Sequence, residues 1–288
     1  MKGKNTALAL QNRSEKAALA LRLAAGVKYF SNKRAMPEIS GRPEAGLDGT
    51  TKIAARKLTF RQLNDHIRQA AGDVLIEGCC GQRFIGSGCA GKTITISGTP
   101  GNALGAYLDG ATIVVRGNAQ DAVGDTMNDG KIIIHGNAGD ALGYAMRGGS
   151  IFVRGNAGYR TGIHMKQYRD KKPVIVVGGT TGSFLGEYLA GGIIIVLGLG
   201  TDDVPVGDFI GTGMHGGRIF LRTHLAPACV PEQVTARAAS REDLAEILPY
   251  LAEFARLFDI DGEQLAGEKY YVLAPNTKNP YKRLYTIN

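Results

Sequence analysis

The chain has 288 residues, 44 % hydrophobic and 21 % charged, which is enough to bury one sizeable core and too apolar for a disordered polymer. Its net charge of +8 is concentrated at the start, where Lys2, Lys4, Arg13, Lys16, Arg22, Lys28, Lys33 and Arg34 stand against the single acid Glu15. The remainder is nearly neutral, which argues against nucleic-acid binding, since that needs cations on the folded surface together with stacking aromatics.

Residues 1–50 form a basic N-terminal extension. Its stretch from Arg13 to Phe30 is acid-poor and Ala/Leu-rich, and is read as a docking arm or frayed helix in preference to a transit segment. No apolar stretch reaches about 18 residues and no secretory leader is visible, so a soluble cytoplasmic protein with no membrane contact is expected. Next, Thr59 to Ala71 reads as a helix, capped by Thr59 with Leu63, Ile67 and Ala70 along one face, and placed to close the first coil of a repeat region. The cysteines Cys79, Cys80, Cys89 and Cys229 match neither a zinc pair nor a disulfide framework and are read as reduced, mostly buried thiols.

From Thr93 to Gly217 the sequence repeats. Glycines that end short apolar runs fall at Gly98, Gly117, Gly136, Gly155, Gly179 and Gly198, with strides of 19, 19, 19, 24 and 19. A second glycine follows seven residues later at Gly105, Gly124, Gly143, Gly162 and Gly186. A fixed period near 20 residues signals a solenoid, and Ile/Val-rich runs of about four residues fit strands and are too short for helices. Leucine-rich repeats are excluded because the required Leu and Asn positions are absent.

The columns support this reading. The fourth residue before each aligned glycine is Ile94, Ile113, Ile132, Ile151, Ile175 or Ile194, and two residues later stand Ile96, Val115, Ile134, Val153, Val177 and Val196. Strand geometry puts both columns on one inward face. Leu108, Met127, Met146, Met165, Leu189 and Met214 form a further interior row. The expected fold is all-β: a single-stranded right-handed β-helix of about seven turns over 51–230, with flanking capping helices and a C-terminal helical segment and tail over 231–288. The glycines are expected at sharp turns with positive φ. Asn118, Asn137 and Asn156 are expected to stack as a corner ladder.

Glycine-rich runs at 178–182 and 196–200 lack a Walker lysine and a following helix, so no nucleotide site is read there. The five histidines, His66, His135, His164, His215 and His224, show no metal-ligand spacing, and no catalytic or cofactor-binding residue is proposed. The outer strand face is more telling. Arg116, His135 and Arg154 point outward there with Val114, Ile133 and Phe152, and a face both apolar and basic demands a cover, either the chain's own C-terminal segment or a partner. Two insertions break the stride, Gln167 to Pro173 with Arg169, Lys171 and Lys172, and Gly200 to Val206. The candidate partner interface is therefore Arg116, His135, Phe152, Arg154, Arg169, Lys171 and Lys172.

After the repeats, Ser240 with Asp243 resembles a capping box before Leu244, Ile247, Leu248, Leu251 and Phe254 at helical spacing, and Pro249 is expected to kink or split that helix. The tail from Lys269, with Tyr270, Tyr271, Tyr281 and Tyr285, is expected to pack along the solenoid or a neighbour.

The runs Gly98-Thr99-Pro100-Gly101-Asn102, Gly117-Asn118-Ala119-Gln120-Asp121, Gly143-Tyr144-Ala145-Met146-Arg147-Gly148-Gly149 and Gly162-Ile163-His164-Met165-Lys166 resemble the GXGXG domain of the glutamate synthase large subunit, above all the stand-alone subunit of split forms. The likeness runs from about Leu58 to Pro280-Tyr281-Lys282-Arg283-Leu284-Tyr285. It implies a non-catalytic β-helix subunit, without a cofactor of its own, in a hetero-oligomer. Its partners would be a glutamine amidotransferase-like subunit and a synthase subunit carrying FMN and an iron–sulfur centre. N-methylglutamate synthase is built from similar subunits. The C subunit of formylmethanofuran dehydrogenase, or of the related formyltransferase/hydrolase complex, is a more distant relative and the alternative reading. A free-standing carbohydrate-binding β-helix would want exposed aromatics and paired acids along one face, and ranks third.

Overall fold

The computed structural model describes residues 44–45, 49–228 and 230–276. Cys229, Tyr281, Tyr285 and nearly all of the basic extension lie outside the described residues.

Among the described residues twelve strands make one sheet, which starts at β1 (Glu44–Ala45) and runs in chain order to the tenth strand, followed by the twelfth and then the eleventh. The strands β2 (Thr51–Ala54), β3 (Val74–Cys80), β4 (Thr93–Thr99), β5 (Asp109–Val115), β6 (Asp129–Ile134), β7 (Ser150–Val153), β8 (Val174–Val177), β9 (Ala190–Val196) and β10 (Gly216–Arg222) pair in parallel, each with the next. This is a β-solenoid of about eight turns. The additional turn comes from β2, whose run Thr51-Lys52-Ile53-Ala54 carries no repeat glycine to mark it.

The register confirms the columns. Ile94, Ile113, Ile132, Ile151, Ile175 and Ile194 are aligned from strand to strand and continue to Ile219. All are fully buried, as are Met127, Met146, Met165 and Met214. The second glycine column works in two ways: Gly143 has φ +68, and a Cβ there would come within 2.4 Å of the Ile175 Cδ1. In the first column Gly98 and Gly198 have positive φ as expected, and the four glycines between them do not. Gly155 does not have positive φ, and it is a glycine because a Cβ would lie 2.2 Å from the Asn137 Oδ1. The asparagines stack as expected, but each bonds backbone and not its neighbour's amide: Asn118 Oδ1 accepts the Asn137 N–H at 2.8 Å, Asn137 Oδ1 that of Asn156 at 2.8 Å, and Asn156 Oδ1 that of Thr180 at 2.9 Å. A parallel ladder runs from Asp121 to the Asp140 N–H and from Asp140 to the Tyr159 N–H.

The first crossover is a helix, α1 (Phe60–Gln69), with Thr59 and Gln62 forming a capping box. Leu63 and Ile67 enter the core, and buried Asn64 accepts the Gly86 N–H and donates to the Arg83 carbonyl. Lys92 Nζ donates to the carbonyls of Ile67 and Ala70, neutralising the negative end of the helix.

The described part of the tail, Tyr270 to Pro275, packs along the solenoid as expected, but as a strand, and the C-terminal segment is less helical than expected. Besides helices α2 (Arg241–Phe258) and α3 (Gly262–Gly267) it carries two strands, β11 (Val234–Ala238) and β12 (Tyr270–Pro275), and β12 joins β10 antiparallel. Pro249 neither splits nor ends α2; the proline is exposed, while Ile247, Leu251 and Phe254 are buried, so apolar packing outweighs the missing N–H bond. Those side chains cover the outer sheet face at Phe152, Val174, Val176, Ile193, Ile195 and Phe220. The cover expected over Val114, Ile133 and Phe152 is thus supplied by the chain's own helix, fully at Phe152 and only partly at Val114. Among the described residues no helix is long and apolar enough to cross a membrane.

Candidate partner-contact surface

Because β5, β6 and β7 pair in register through Val115, Ile134 and Val153, the residues that follow them, Arg116, His135 and Arg154, fall one above another on three successive rungs. All three are exposed. Their backbone N–H groups still bond the preceding rung, at Ile96, Val115 and Ile134, so the column is held rigidly. His135 stands edge-on to Phe258 at the end of α2, 5.3 Å between centroids. Burial, then the charges of Arg154 and Arg116, push the imidazole below its usual pKa. The next residue in the column is Gly178, where a Cβ would come within 2.7 Å of the Phe254 ring.

Phe152 is fully buried under α2 and is therefore a core residue and not a contact residue. Its alternation with Val153 was legible, and a cover by the chain's own C-terminal segment was one of the two expected; the choice between that segment and a partner was left open. The inserted loop makes a tight hairpin in which Tyr168 and Lys171 exchange backbone bonds of 3.2 and 3.1 Å. Arg169 sits at its tip with φ 57, its guanidinium over the Tyr168 ring at 5.1 Å. Lys171 reaches back to Asp129 at 2.9 Å, which raises the ammonium's pKa and lowers the carboxyl's. Lys172 binds Glu246 of α2 at 3.0 Å. Beside this loop a groove of about 420 Å³ is lined by Gln167, Arg169, Lys172, Arg218 and Glu246. No described contact joins the loop residues to the Arg116–His135–Arg154 column, and two of the three are already ion-paired.

Sequence reasoning missed a ring stack on the turn face. His164 stacks on Tyr188 at 5.0 Å with Tyr144 edge-on, and Phe184 stacks on Phe209 at 4.9 Å with Arg160 above Phe184 at 4.8 Å. Arg160, His164, Phe184, Tyr188 and Phe209 all have positive φ, two residues from the second-column glycine of their own turn. That fixed offset was readable, but the left-handed backbone that turns these side chains outward was not. Among the described residues no group of three His, Cys, Asp or Glu side chains is placed to hold a metal ion. Of the thiols, Cys79 is buried, Cys89 half-buried and Cys80 exposed, the last unlike the expectation of mostly buried cysteines.

Three comparisons bear on this chain. The family model described as the GXGXG motif matches residues 56–273. An uncharacterized protein of Methanocaldococcus jannaschii, MJ1350, is 43 % identical over 249 residues, which cover 81 % of this chain and 95 % of that protein. Among solved structures, a chain of the formyltransferase/hydrolase complex of Methylorubrum extorquens, determined with methylofuran, superposes with a TM-score of 0.54 at 21 % identity, over 69 % of this chain and 72 % of that one. The last is a likeness of fold. The match over residues 56–273, together with the glycine columns, places this chain in the GXGXG family.

Proposed function

We propose that the chain is an architectural subunit of a multisubunit enzyme complex, a rigid spacer whose surface holds other polypeptides in place. One observation carries this reading: the polar groups stacked along the coil are spent on joining one turn to the next, as the Asn118–Asn137–Asn156 and Asp121–Asp140 ladders do, so the coil is built for stiffness. A complex of the formyltransferase/hydrolase kind is our first choice, supported by the likeness of fold to a chain of such a complex. A glutamate synthase-like complex is second, supported by the motifs at 98–102, 117–121, 143–149 and 162–166. In that reading FMN and the iron–sulfur centre sit in the synthase partner, beside an amidotransferase-like subunit.

Purification of the tagged full chain from its own cells under native conditions tests the reading. Co-elution with a metal-dependent amidohydrolase-like subunit supports the first complex. Co-elution with a flavin-containing subunit and a glutaminase-like subunit supports the second. A chain that elutes alone and cleaves or binds a polysaccharide overturns the architectural reading.

A further inference from the structure

We propose that the Arg116–His135–Arg154 column is the docking track for a short acidic segment of a partner protein. The inference rests on the architectural-subunit reading and names the chemistry of one of its contacts.

Neighbouring cations set the contrast. Lys131 pairs with Glu253, Lys172 with Glu246, and Arg218 with both Asp243 and Glu246, so the carboxylates of α2 neutralise the sheet-side cations they can reach. Arg116 and Arg154 are exposed and form no ion pair or hydrogen bond through their side chains with any described residue. Strand spacing of about 4.8 Å separates each from His135. Two like charges so close, flanking an imidazole on a rigid ladder, repel one another until an anion arrives.

No described carboxylate supplies that anion. Residues 277–288 contain Lys278, Lys282 and Arg283 and no Asp or Glu, and residues 1–48 contain only Glu15, Glu38, Glu44 and Asp48 against nine Lys and Arg. The charge balance therefore points to another molecule as the source of the complementary charge.

Its length and kind are set by the residues that bound the column. On one side the track ends at Gly178 beneath Phe254, and on the other it meets Ser97, which has no charge. About 10 Å of cationic ladder suits two or three carboxylates on one strand or turn. A nucleic acid fits poorly. Running past the column it would meet Glu253, paired with Lys131, and Asp259 beside Phe258. It would also want open ring faces, whereas Phe258 already packs on Phe254 at 4.7 Å and on His135.

The test uses the native complex purified through the tagged full chain. Wild-type protein is expected to release its partner as salt rises, and Arg116→Glu/Arg154→Glu to hold it roughly tenfold more weakly, with a flatter salt dependence. In Arg116→Lys/Arg154→Lys, zero-length carbodiimide treatment is expected to join the introduced lysines to Asp or Glu of the partner, located by mass spectrometry. Arg116→Gln/Arg154→Gln serves as a milder variant should the reversal disturb folding, judged by circular dichroism. A partner held equally well by wild-type and reversed chains, with cross-links confined to this chain, overturns the inference while leaving the architectural reading intact. A wild-type chain that elutes with no partner overturns both. Release of the bound material by nuclease, with no protein cross-link, assigns the column to nucleic acid and overturns the inference.

Discussion

Gly143 and Ile175 meet as hole and knob. A Cβ at Gly143 would stand 2.4 Å from the Ile175 Cδ1, two strands further along the coil, and the glycine's φ of +68 already disfavours any other residue. Gly143→Ala is expected to cost about 2 kcal/mol or more, and Ile175→Val, which removes that δ-methyl, about 1 kcal/mol. The double variant should cost less than the two single changes together, because the shortened side chain admits the new methyl. Urea denaturation of the four proteins measures the coupling; strict additivity would mean that backbone strain alone keeps the glycine.

The outer sheet face depends on α2 in a comparable way. Phe254 is fully buried against a cluster that includes Phe152, Val176 and Ile195. Phe254→Ala is expected to destabilise the fold by roughly 3–5 kcal/mol and to raise binding of a hydrophobic dye, since the exposed face is apolar. Leu248→Ala, on the exposed side of the same helix, should change neither by much.

Stability should fall in two separate pH windows. The folded-state pKa of His135 is lowered, so the folded chain resists protonation; the neutral-ring stability is complete above the unfolded value near 6.5 and declines as pH falls through the folded value. Asp243 behaves as a depressed carboxyl. Arg237, hydrogen-bonded at 2.5 Å, and the Ser240 backbone hold it far below the usual carboxylate range, so its contribution is complete above about pH 4 and is lost on further acidification. In His135→Gln the upper decline should vanish and the lower remain. In Asp243→Asn the lower should shrink, with roughly 1–3 kcal/mol lost at neutral pH because the buried cap and ion pair are weakened. Denaturation midpoints followed from about pH 8 to about pH 3 separate the two.

Thiol labelling offers a direct check on the packing. Cys80 is exposed and should react with a maleimide before Cys79 and Cys89. Cys79 is buried and its thiol is pushed up to about 11, so it should react only when the first rungs open. Labelling of Cys79 as fast as Cys80 under native conditions would contradict this packing of β3.

The features readable from the sequence were those that repeat with the coil. Ile132, Ile151 and Ile175 identify themselves by spacing, because an interior column must be filled alike on every turn. Thr59 and Ser240 were readable as caps because a cap is a local bond between residues three apart. Phe152 was misplaced for the opposite reason: its cover, Phe254, lies about a hundred positions away, and pattern alone leaves open whether a sheet face is closed by its own chain or by another. The strands β11 and β12 escaped because Thr235 to Arg237 shows no strong alternation; β12 holds β11 through its other edge. Of the contact surface, the column at Arg116, His135 and Arg154 was legible from periodicity, and the ion pairs that occupy Lys171 and Lys172 were not.

The two antiparallel pairings that flank the parallel coil have a further consequence. A parallel coil is an open template, and a second copy laid on its last rung would continue the same pattern indefinitely, as in a fibre. Here β1 (Glu44–Ala45) reverses direction against β2, and β12 reverses direction against β10. The parallel pairing of the coil is therefore interrupted at both ends, by β1 and by β12, with β11 outermost beyond β12. A second copy would have to pair with the two-residue β1 or with β11, and not with a rung of the coil itself.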